Sequence, residues 1–316
     1  MERLAQYNIM YDLIIIGGGP AGSAAGVYAA RKKLKTLLLT AEFGGQSIVS
    51  SEIQNWIGTP AISGMDLAEN LRKHVKTYAG ESLTVAEGDR AVKIEKAGGS
   101  FSVATEQGKT YSGKTILIAS GSARRKLPAK NADTLEHKGL TYCASCDGPL
   151  FEGQDVAVVG GGNAGFETAA QLLAYTKSVT LLNHSEGYKA DPVTVEKVLN
   201  NPKMKAIDMA DVLEIKGEKF VNGLVYKDKR SGEEKELPVT GIFVEIGQVP
   251  NTDLVKGLVE LDQYNRIKID PWTQKTSAEG IWAAGDSTNV LYHQNNIAAG
   301  DAVRAIENIY LALNVK

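Results

Sequence analysis

The chain has 316 residues, 35 of them Lys or Arg and 37 Asp or Glu, with 43% apolar and 23% charged residues; this is the make-up of a soluble globular protein long enough for two domains of roughly 100–200 residues each. Charge this balanced argues against nucleic acid or an anionic membrane as partner, and 2 cysteines are too few for a secreted disulfide framework. The stretch from Met1 to Met10 lacks the apolar core and small-residue cleavage site of a signal peptide, so a reducing cytoplasm is the expected location.

Residues 13–30 form an 18-residue stretch without a charge, long enough for a hydropathy window to flag a membrane span. Its run Gly17-Gly18-Gly19-Pro20 divides it instead into a strand, a tight turn and a helix. Asp12-Leu13-Ile14-Ile15-Ile16 is a β-branched run of the kind buried on both faces of a parallel sheet. It feeds Gly17-Gly18-Gly19-Pro20-Ala21-Gly22, then an alanine-rich helix ending near Arg31, then a second apolar strand over residues 36–39. Gly17, Gly19 and Gly22 thus fit G-x-G-x-x-G in the βαβ context that a dinucleotide site requires. The first glycine makes the turn, the second admits a pyrophosphate to the backbone, and the third lets helix and strand pack closely. Glu42 lies 20 residues beyond Gly22, where an acid meets a ribose hydroxyl.

Phe43-Gly44-Gly45-Gln46 and Gln54-Asn55-Trp56 read as loops whose glycines admit a flat ligand or simply as surface loop. Residues 67–78 have a helical pattern, and residues 82–118 read as a β-meander inserted in the first domain. A buried-type strand over residues 115–119 ends at Ser120-Gly121, and a domain crossing is expected just after it.

Cys143 and Cys146, both cysteines of the chain, follow as Cys143-Ala144-Ser145-Cys146-Asp147. A C-x-x-C brings two sulfurs within disulfide reach and commonly lowers one thiol pKa, and Asp147 can give and take the thiol proton. Zinc needs about four ligands, and the remaining candidates, His74, His137, His184 and His293, are scattered, so no metal site is expected; two inert buried cysteines is the other plain reading.

Residues 155–159 then repeat the strand signal before Gly160-Gly161-Gly162-Asn163-Ala164-Gly165, a helix to about residue 174 and a strand over residues 178–182. This is a second G-x-G-x-x-G unit carried by Gly160, Gly162 and Gly165, and two units imply two nucleotides. The stretch after it, Asn183-His184-Ser185-Glu186-Gly187-Tyr188-Lys189, has no arginine to bind a 2′-phosphate. Glu186 would repel that phosphate and Asn183 can hydrogen-bond a ribose hydroxyl, although no acid stands at the strand's end; NADH is therefore expected over NADPH. Further strands are expected over residues 219–226 and 241–246, a return crossing over 247–251, a strand over 280–286 ending in Gly285-Asp286, and a helix over 296–313. An aspartate such as Asp286 at a strand's carboxyl end is also a common turn cap.

Together these residues resemble the low-molecular-weight thioredoxin reductase family, most of all the reductase core of the alkyl hydroperoxide reductase flavoprotein subunit. The match runs through Tyr142-Cys143-Ala144-Ser145-Cys146-Asp147-Gly148-Pro149-Leu150-Phe151, Gly44-Gly45-Gln46, Asn55-Trp56, the Gly160 turn and Ala283-Ala284-Gly285-Asp286, from about residue 11 to the end. The resemblance implies an α/β fold of two Rossmann-like, three-layer domains, the second inserted in the first. Residues 1–122 and 248–316 would bind FAD, and residues 123–247 would bind NAD(P)H and carry the cysteines. The turn of Gly17, Gly19, Pro20, Ala21 and Gly22 would hold, with Glu42, the ADP half of FAD. Gly45, Gln46, Asn55 and Gly121, with Gly285 and Asp286, would line its ribityl and flavin portion, and Gln294 and Asn295 would open a helix beside the isoalloxazine. Gly160, Gly162, Asn163, Ala164, Gly165 and Asn183 would take the pyridine nucleotide.

Hydride would pass from NAD(P)H to FAD and an electron pair on to a Cys143–Cys146 disulfide, Cys146 facing the flavin, Cys143 attacking a thioredoxin- or glutaredoxin-like partner, and Asp147 moving the proton. A rotation about crossings near Ser122 and Val249 and a homodimer are implied as well. Two departures stand out: the sequence reads without an N-terminal thioredoxin-like module, so electrons are expected to go to a separate protein, and His293 stands where the family has Arg or Lys before Gln294. An oxidase with incidental cysteines and a flavin-binding redox sensor use the same residues differently.

Overall fold

A computed structural model of the chain describes residues 9–50 and 52–315; the absence of a signal peptide, read from Met1 to Met10, falls largely outside the described residues. β1 (Met10–Gly18), α1 (Pro20–Arg31) and β2 (Thr36–Phe43) form the first βαβ unit. A 3₁₀ turn over Gly45–Val49 and α2 (Gly64–Thr77) follow, then β3 (Leu83–Glu87), β4 (Ala91–Ala97), β5 (Ser100–Thr105) and β6 (Thr110–Ile118). β7 (Ser122–Arg124) leads to α3 (Ala132–Leu135), β8 (Leu140–Thr141) and α4 (Ala144–Asp147). β9 (Asp155–Val159), α5 (Asn163–Leu172) and β10 (Ser178–Leu182) make the second βαβ unit. α6 (Pro192–Leu199), β11 (Met204–Ile207), β12 (Ala210–Gly217), β13 (Val221–Asp228), β14 (Glu234–Leu237) and β15 (Gly241–Val244) come next. β16 (Gln248–Pro250) returns, and β17 (Ile281–Ala283) and α7 (Asn295–Asn314) close the chain.

The first sheet runs β3-β2-β1-β6-β5-β4, with β17 sharing the β6 edge beyond β5. Its β1, β2, β3, β6 and β17 are parallel, so the sequence reading of residues 82–118 needs correcting. β3 is a parallel edge strand beside β2, and only β4, β5 and β6 form an antiparallel meander, which is part of this same sheet. Alternation missed this because a one-side-exposed edge strand and a meander strand carry the same period of two.

Along β1, Leu13 and Ile15 face α1 and α7, whereas Ile14 and Ile16 face the layer built on β4 and β5. Alanines at 21, 25 and 29 on α1 and at 298, 302 and 305 on α7 let the two helices approach closely, and Trp282 Nε1 donates to Asn308 Oδ1 at 3.0 Å to tie β17 to α7. The uncharged residues 13–30 are thus divided between β1 and α1, and no helix among the described residues is long and apolar enough to cross a membrane.

The second sheet, β11-β10-β9-β15-β8, is parallel throughout and buried on both faces, Ala157 and Val159 on one side, Val156 and Val158 with Phe166 on the other. β12, β13 and β14 form a separate antiparallel sheet against it. The chain leaves the first sheet through β7 and returns through β16, and these two crossings pair antiparallel, Ser122 with Pro250 and Arg124 with Gln248.

Both fingerprints depend on one backbone contact. A Cβ on Gly22 would stand 1.8 Å from the Gly17 carbonyl oxygen, and one on Gly165 would stand 1.9 Å from that of Gly160. No side chain fits there, so Gly22→Ala and Gly165→Ala are each expected to cost about 4 kcal/mol or more. Gly108→Ala, at a hairpin turn with nothing within 4 Å of the added Cβ, should cost about 1 kcal/mol. Chemical denaturation compares them, and a Gly22→Ala variant as stable as Gly108→Ala would refute this account of the turn.

Candidate functional site

The first glycine turn ends β1 with Gly17 at φ +121°, which an L side chain rarely adopts. α1 starts at Pro20 with Gly19 as an N-cap that offers no side chain, so the first-turn N–H groups have no side-chain acceptor and suit a phosphate. Across the same crease, Gly45 has φ +57° and its Cβ would lie 3.3 Å from the Gly19 Cα, so two bare stretches of backbone face one another. Glu42 is exposed on the last turn of β2, where Gly18 pairs with Phe43. Gly121 has φ +65° with open space beside it, and a Cβ on Gly285 would lie 3.4 Å from the Ala21 methyl, so the ends of β1, β6 and β17 meet at the start of α1.

A network of amides stands at the start of α7. Gln294 caps that helix without a side-chain hydrogen bond to it, leaving another helix N-terminus free to face a ligand. Asn55 Nδ2 donates to Gln294 Oε1 at 3.1 Å, Ser47 Oγ donates to Asn295 Oδ1 at 2.9 Å, and Asn296 Nδ2 donates to the Asn55 carbonyl at 2.7 Å. Gln46 Nε2 donates to Ser122 Oγ at 3.0 Å and to Asp286 Oδ2 at 3.4 Å. Gln46, Asn55, Asp286, Gln294 and Asn295 are therefore brought together from distant parts of the chain. Burial pushes the Asp286 carboxyl above its ordinary range, against the pull of His293 and Arg124. His293 Nε2, beside it, is buried with no hydrogen-bond partner among the described residues.

The cysteine motif hangs from β8, an edge strand paired with β15. Cys143 is the N-cap of α4, and Asp147 N donates to its carbonyl at 3.0 Å, so the short helix turns the Asp147 side chain back toward β8. There Thr141 Oγ1 donates to Asp147 Oδ2. Burial raises the Asp147 pKa, opposed by the Thr141 bond and by the charges of His137 and Arg124. The motif is packed tightly behind: a Cβ on Gly148 would meet the Tyr175 hydroxyl at 2.2 Å, and Phe151 stacks edge-on against Phe243 with centroids 5.3 Å apart. The side chain of Cys146 lies outside the described residues.

Arg124, on the outgoing crossing, was not singled out from the sequence, because nothing local marks it. Burial lowers its pKa, while Glu245, Asp286 and Asp147, in that order, favour its charge. One buried guanidinium thus feels the charge of acids from both glycine-turn sheets and of the acid beside the cysteines, without an ion pair to any of them among the described residues. Glu245 was missed as well: it directly follows β15, its carbonyl is 2.2 Å from where a Gly160 Cβ would be, and its carboxylate accepts from Thr168 Oγ1 at 3.0 Å.

The second glycine turn repeats the first. Gly160 has φ +133°, and α5 begins after Gly162, again an N-cap without a side-chain bond. Gly162 bridges to Lys189, and Asp191 N donates to Asn163 Oδ1 at 2.8 Å, so the loop after β10 closes over the turn. Asn163 and Ala164 are exposed at the start of α5 and Gly165 is buried beneath. Asn183 is buried, and its Nδ2 donates to the carbonyls of Ser185, at 2.8 Å, and Gly187. Its donor is thus committed to shaping the loop, a role the sequence reading did not anticipate beside the expected ribose contact. Among the described residues no group of three or more His, Cys, Asp or Glu is placed to hold a metal.

Two glycine turns, each feeding an uncapped helix, with a C-x-x-C between them, are the parts of a flavin- and nucleotide-linked disulfide enzyme, and a family model described as pyridine nucleotide-disulphide oxidoreductase matches residues 11–312. The chain belongs to that family. It is 40% identical over 296 residues to the F subunit of alkyl hydroperoxide reductase from Pseudomonas aeruginosa, and 38% identical over 295 residues to a protein named NADH dehydrogenase from Bacillus subtilis. Each match covers 93% of this chain and 57% of the relative, so the chain spans little more than half their length. The crystal structure of thioredoxin reductase from Streptococcus pyogenes superposes with a TM-score of 0.88 at 32% identity, covering 98% of this chain and 100% of that one.

The chain is thus thioredoxin-reductase-like and close to the reductase core of the hydroperoxide reductase flavoprotein, with the FAD- and NAD(P)-linked disulfide reductase fold. The family implies FAD and NAD(P)H, and the residues fit FAD: the Gly19–Gly45 crease, the open Gly121 and the uncapped starts of α1 and α7 are backbone surfaces free of side chains.

Glu245 supplies a pH test of this geometry. Burial raises its pKa from 4.5 to about 7, against the pull of Arg124 and Thr168. Between those values the folded chain holds a proton that the unfolded chain has released. Its stabilising contribution is therefore complete below pH 4.5 and lost as pH rises to about 7, an effect of about 1–3 kcal/mol for a half-buried group. Glu245→Gln should flatten that part of the stability–pH curve. Parallel curves for variant and parent would contradict the burial of this carboxyl.

Proposed function

We propose that the chain is an FAD-dependent reductase that passes electrons from NADH to a Cys143–Cys146 disulfide and on to a separate thioredoxin- or glutaredoxin-like protein. In this reading residues 1–122 and 248–316 form the FAD domain, residues 123–247 form the NADH domain, and the paired crossings are the hinge. The enzyme works as a cytoplasmic homodimer.

The observation that carries the reading is the placing of Cys143 at the start of α4, hung from the edge strand β8 of the second sheet, between two glycine turns that each open an uncapped helix. The two crossings between the sheets pair with each other, and Gln46, just after β2 of the first sheet, donates to Ser122 on one of them. Arg124 on the same crossing feels Glu245, at the second glycine turn.

Bound FAD supplies the two-electron relay between dinucleotide and disulfide. The starts of α1 and α5 bind the two pyrophosphates through backbone N–H groups. The amides of Gln46, Asn55 and Gln294, already oriented by one another and by Ser122, fix the polar edge of the flavin site without reorganising. Asp147, its proton affinity raised by burial, is suited to give and take a proton. When the Cys143 thiolate attacks a disulfide sulfur of the partner, that S–S bond breaks and the departing sulfur needs a proton, which Asp147 provides or relays. Thr141, two residues before Cys143, fixes the orientation of that carboxyl.

Asp147→Asn is therefore expected to slow protein-disulfide reduction about 10²–10⁴-fold, with flavin content unchanged. Cys146→Ser should still be bleached by reduced nucleotide yet fail to reduce a protein disulfide. Wild-type rates in either variant would reject the assignment, and for Asp147 would leave it a turn residue.

For the nucleotide, stopped-flow bleaching at matched concentrations is expected to be faster and tighter with NADH. Faster, tighter reduction by NADPH would overturn that choice.

A further inference from the structure

The loop after β10 stands against the second glycine turn: Lys189 N donates to the Gly161 carbonyl at 2.9 Å, and a Cβ on Gly161 would meet the Asn183 side chain at 2.4 Å. In this fold the adenosine ribose lies beside that loop, at the end of the second strand. The loop has no arginine and the strand's end has no acid, yet the structure brings one of each from farther along the chain. Asp208 follows β11, and Gly187 N donates to its Oδ2 at 3.5 Å. Arg230 stands beyond the end of β13 and grips the same carboxylate with both terminal nitrogens, Nη1 to Oδ1 at 2.8 Å and Nη2 to Oδ2 at 2.9 Å.

We infer that the Asp208–Arg230 pair decides between a ribose 2′-hydroxyl and a 2′-phosphate: Asp208 occupies a guanidinium that would otherwise serve a phosphate. This rests on reading the second glycine turn as the pyridine-nucleotide site.

The neighbouring charges are committed in the same way. Lys229 Nζ donates to the His184 carbonyl at 3.0 Å and lies 3.8 Å from Asp211, which also takes His184 Nδ1. Glu186, exposed on the loop, adds a further negative charge that Arg230 feels. The frame is held firmly: Tyr188 packs edge-on against Phe166 with centroids 5.0 Å apart, and Met209 N and Ala210 N donate to the Ser185 and Asn183 carbonyls. A dianionic phosphate at this loop must draw Arg230 off Asp208 and leave that carboxylate unpaired beside it. A hydroxyl makes no such demand. Bidentate guanidinium pairing is the geometry phosphate and carboxylate compete for.

The pair is exposed enough to be altered without emptying the core, Arg230 at 55% and Asp208 at 24% side-chain exposure. The test is titration calorimetry of the intact protein, Asp208→Asn and Arg230→Ala with two probes, 5′-AMP and adenosine 2′,5′-bisphosphate, which differ only in the 2′-phosphate. Asp208→Asn should tighten the bisphosphate about tenfold and leave 5′-AMP unchanged, because the amide still accepts from Gly187 while releasing the guanidinium. Arg230→Ala should weaken the bisphosphate further than in the parent and again spare 5′-AMP. Normal 5′-AMP binding with an unchanged ratio of the two probes in both variants would remove the role of the pair alone. Failure of the parent protein to bind 5′-AMP would remove the nucleotide-site reading, and this assignment with it.

Discussion

The two crossings of the chain between its large sheets are hydrogen-bonded to each other, and much of the site is arranged around that ribbon. Ser122 and Arg124 on the way out pair with Pro250 and Gln248 on the way back. Asn251 reinforces the ribbon by donating from Nδ2 to the Ser120 carbonyl at 2.9 Å, and Ser120 Oγ returns a bond to the Asn251 carbonyl at 2.7 Å. A two-stranded ribbon is a narrow support, so side chains on it sit between sheets that otherwise keep separate cores. Ser122 accepts from Gln46 and donates to Gln248, and the buried Arg124 feels the charge of acids from both sheets.

Much of the fold was legible because the parallel strands are unmixed apolar runs and the glycine turns interrupt them at the spacing that the turn geometry demands. Residues 12–16 and 155–159 became β1 and β9 within a residue or two, and the last helix began at Asn295 rather than at 296. The amides of the flavin end were legible only through resemblance, since no local pattern links Gln46, Asn55 and Gln294; long-range hydrogen bonds unite them. Glu42 was placed by counting, and it does stand at the exposed end of β2. What stayed hidden shares one cause: Arg124, Glu245, Asp208 and Arg230 each act on residues more than twenty positions away in the chain, and each is an ordinary charged residue beside a strand end. Only Thr141 had a local signal, a hydroxyl two residues before the first cysteine.

The two halves also differ instructively. At the first glycine turn the pocket is backbone and neutral amide, with Asp286 and His293 its titratable groups near the start of α7. At the second, the loop after β10 is enclosed by matched charges, Asp208 with Arg230 and Asp211 with Lys229 and His184. A neutral, preorganised lining suits a cofactor that stays bound, whereas charge pairs that a phosphate can disturb suit a ligand that is selected and released.

The central claim is that the cysteine pair and a flavin belong to one electron path. Two cysteines can form at most one disulfide, so on this account anaerobic titration of the purified protein loaded with FAD measures the path directly. The account predicts that complete bleaching takes two equivalents of NADH per chain and that two new thiols appear as it proceeds. Complete bleaching with a single equivalent and no new thiols would contradict it.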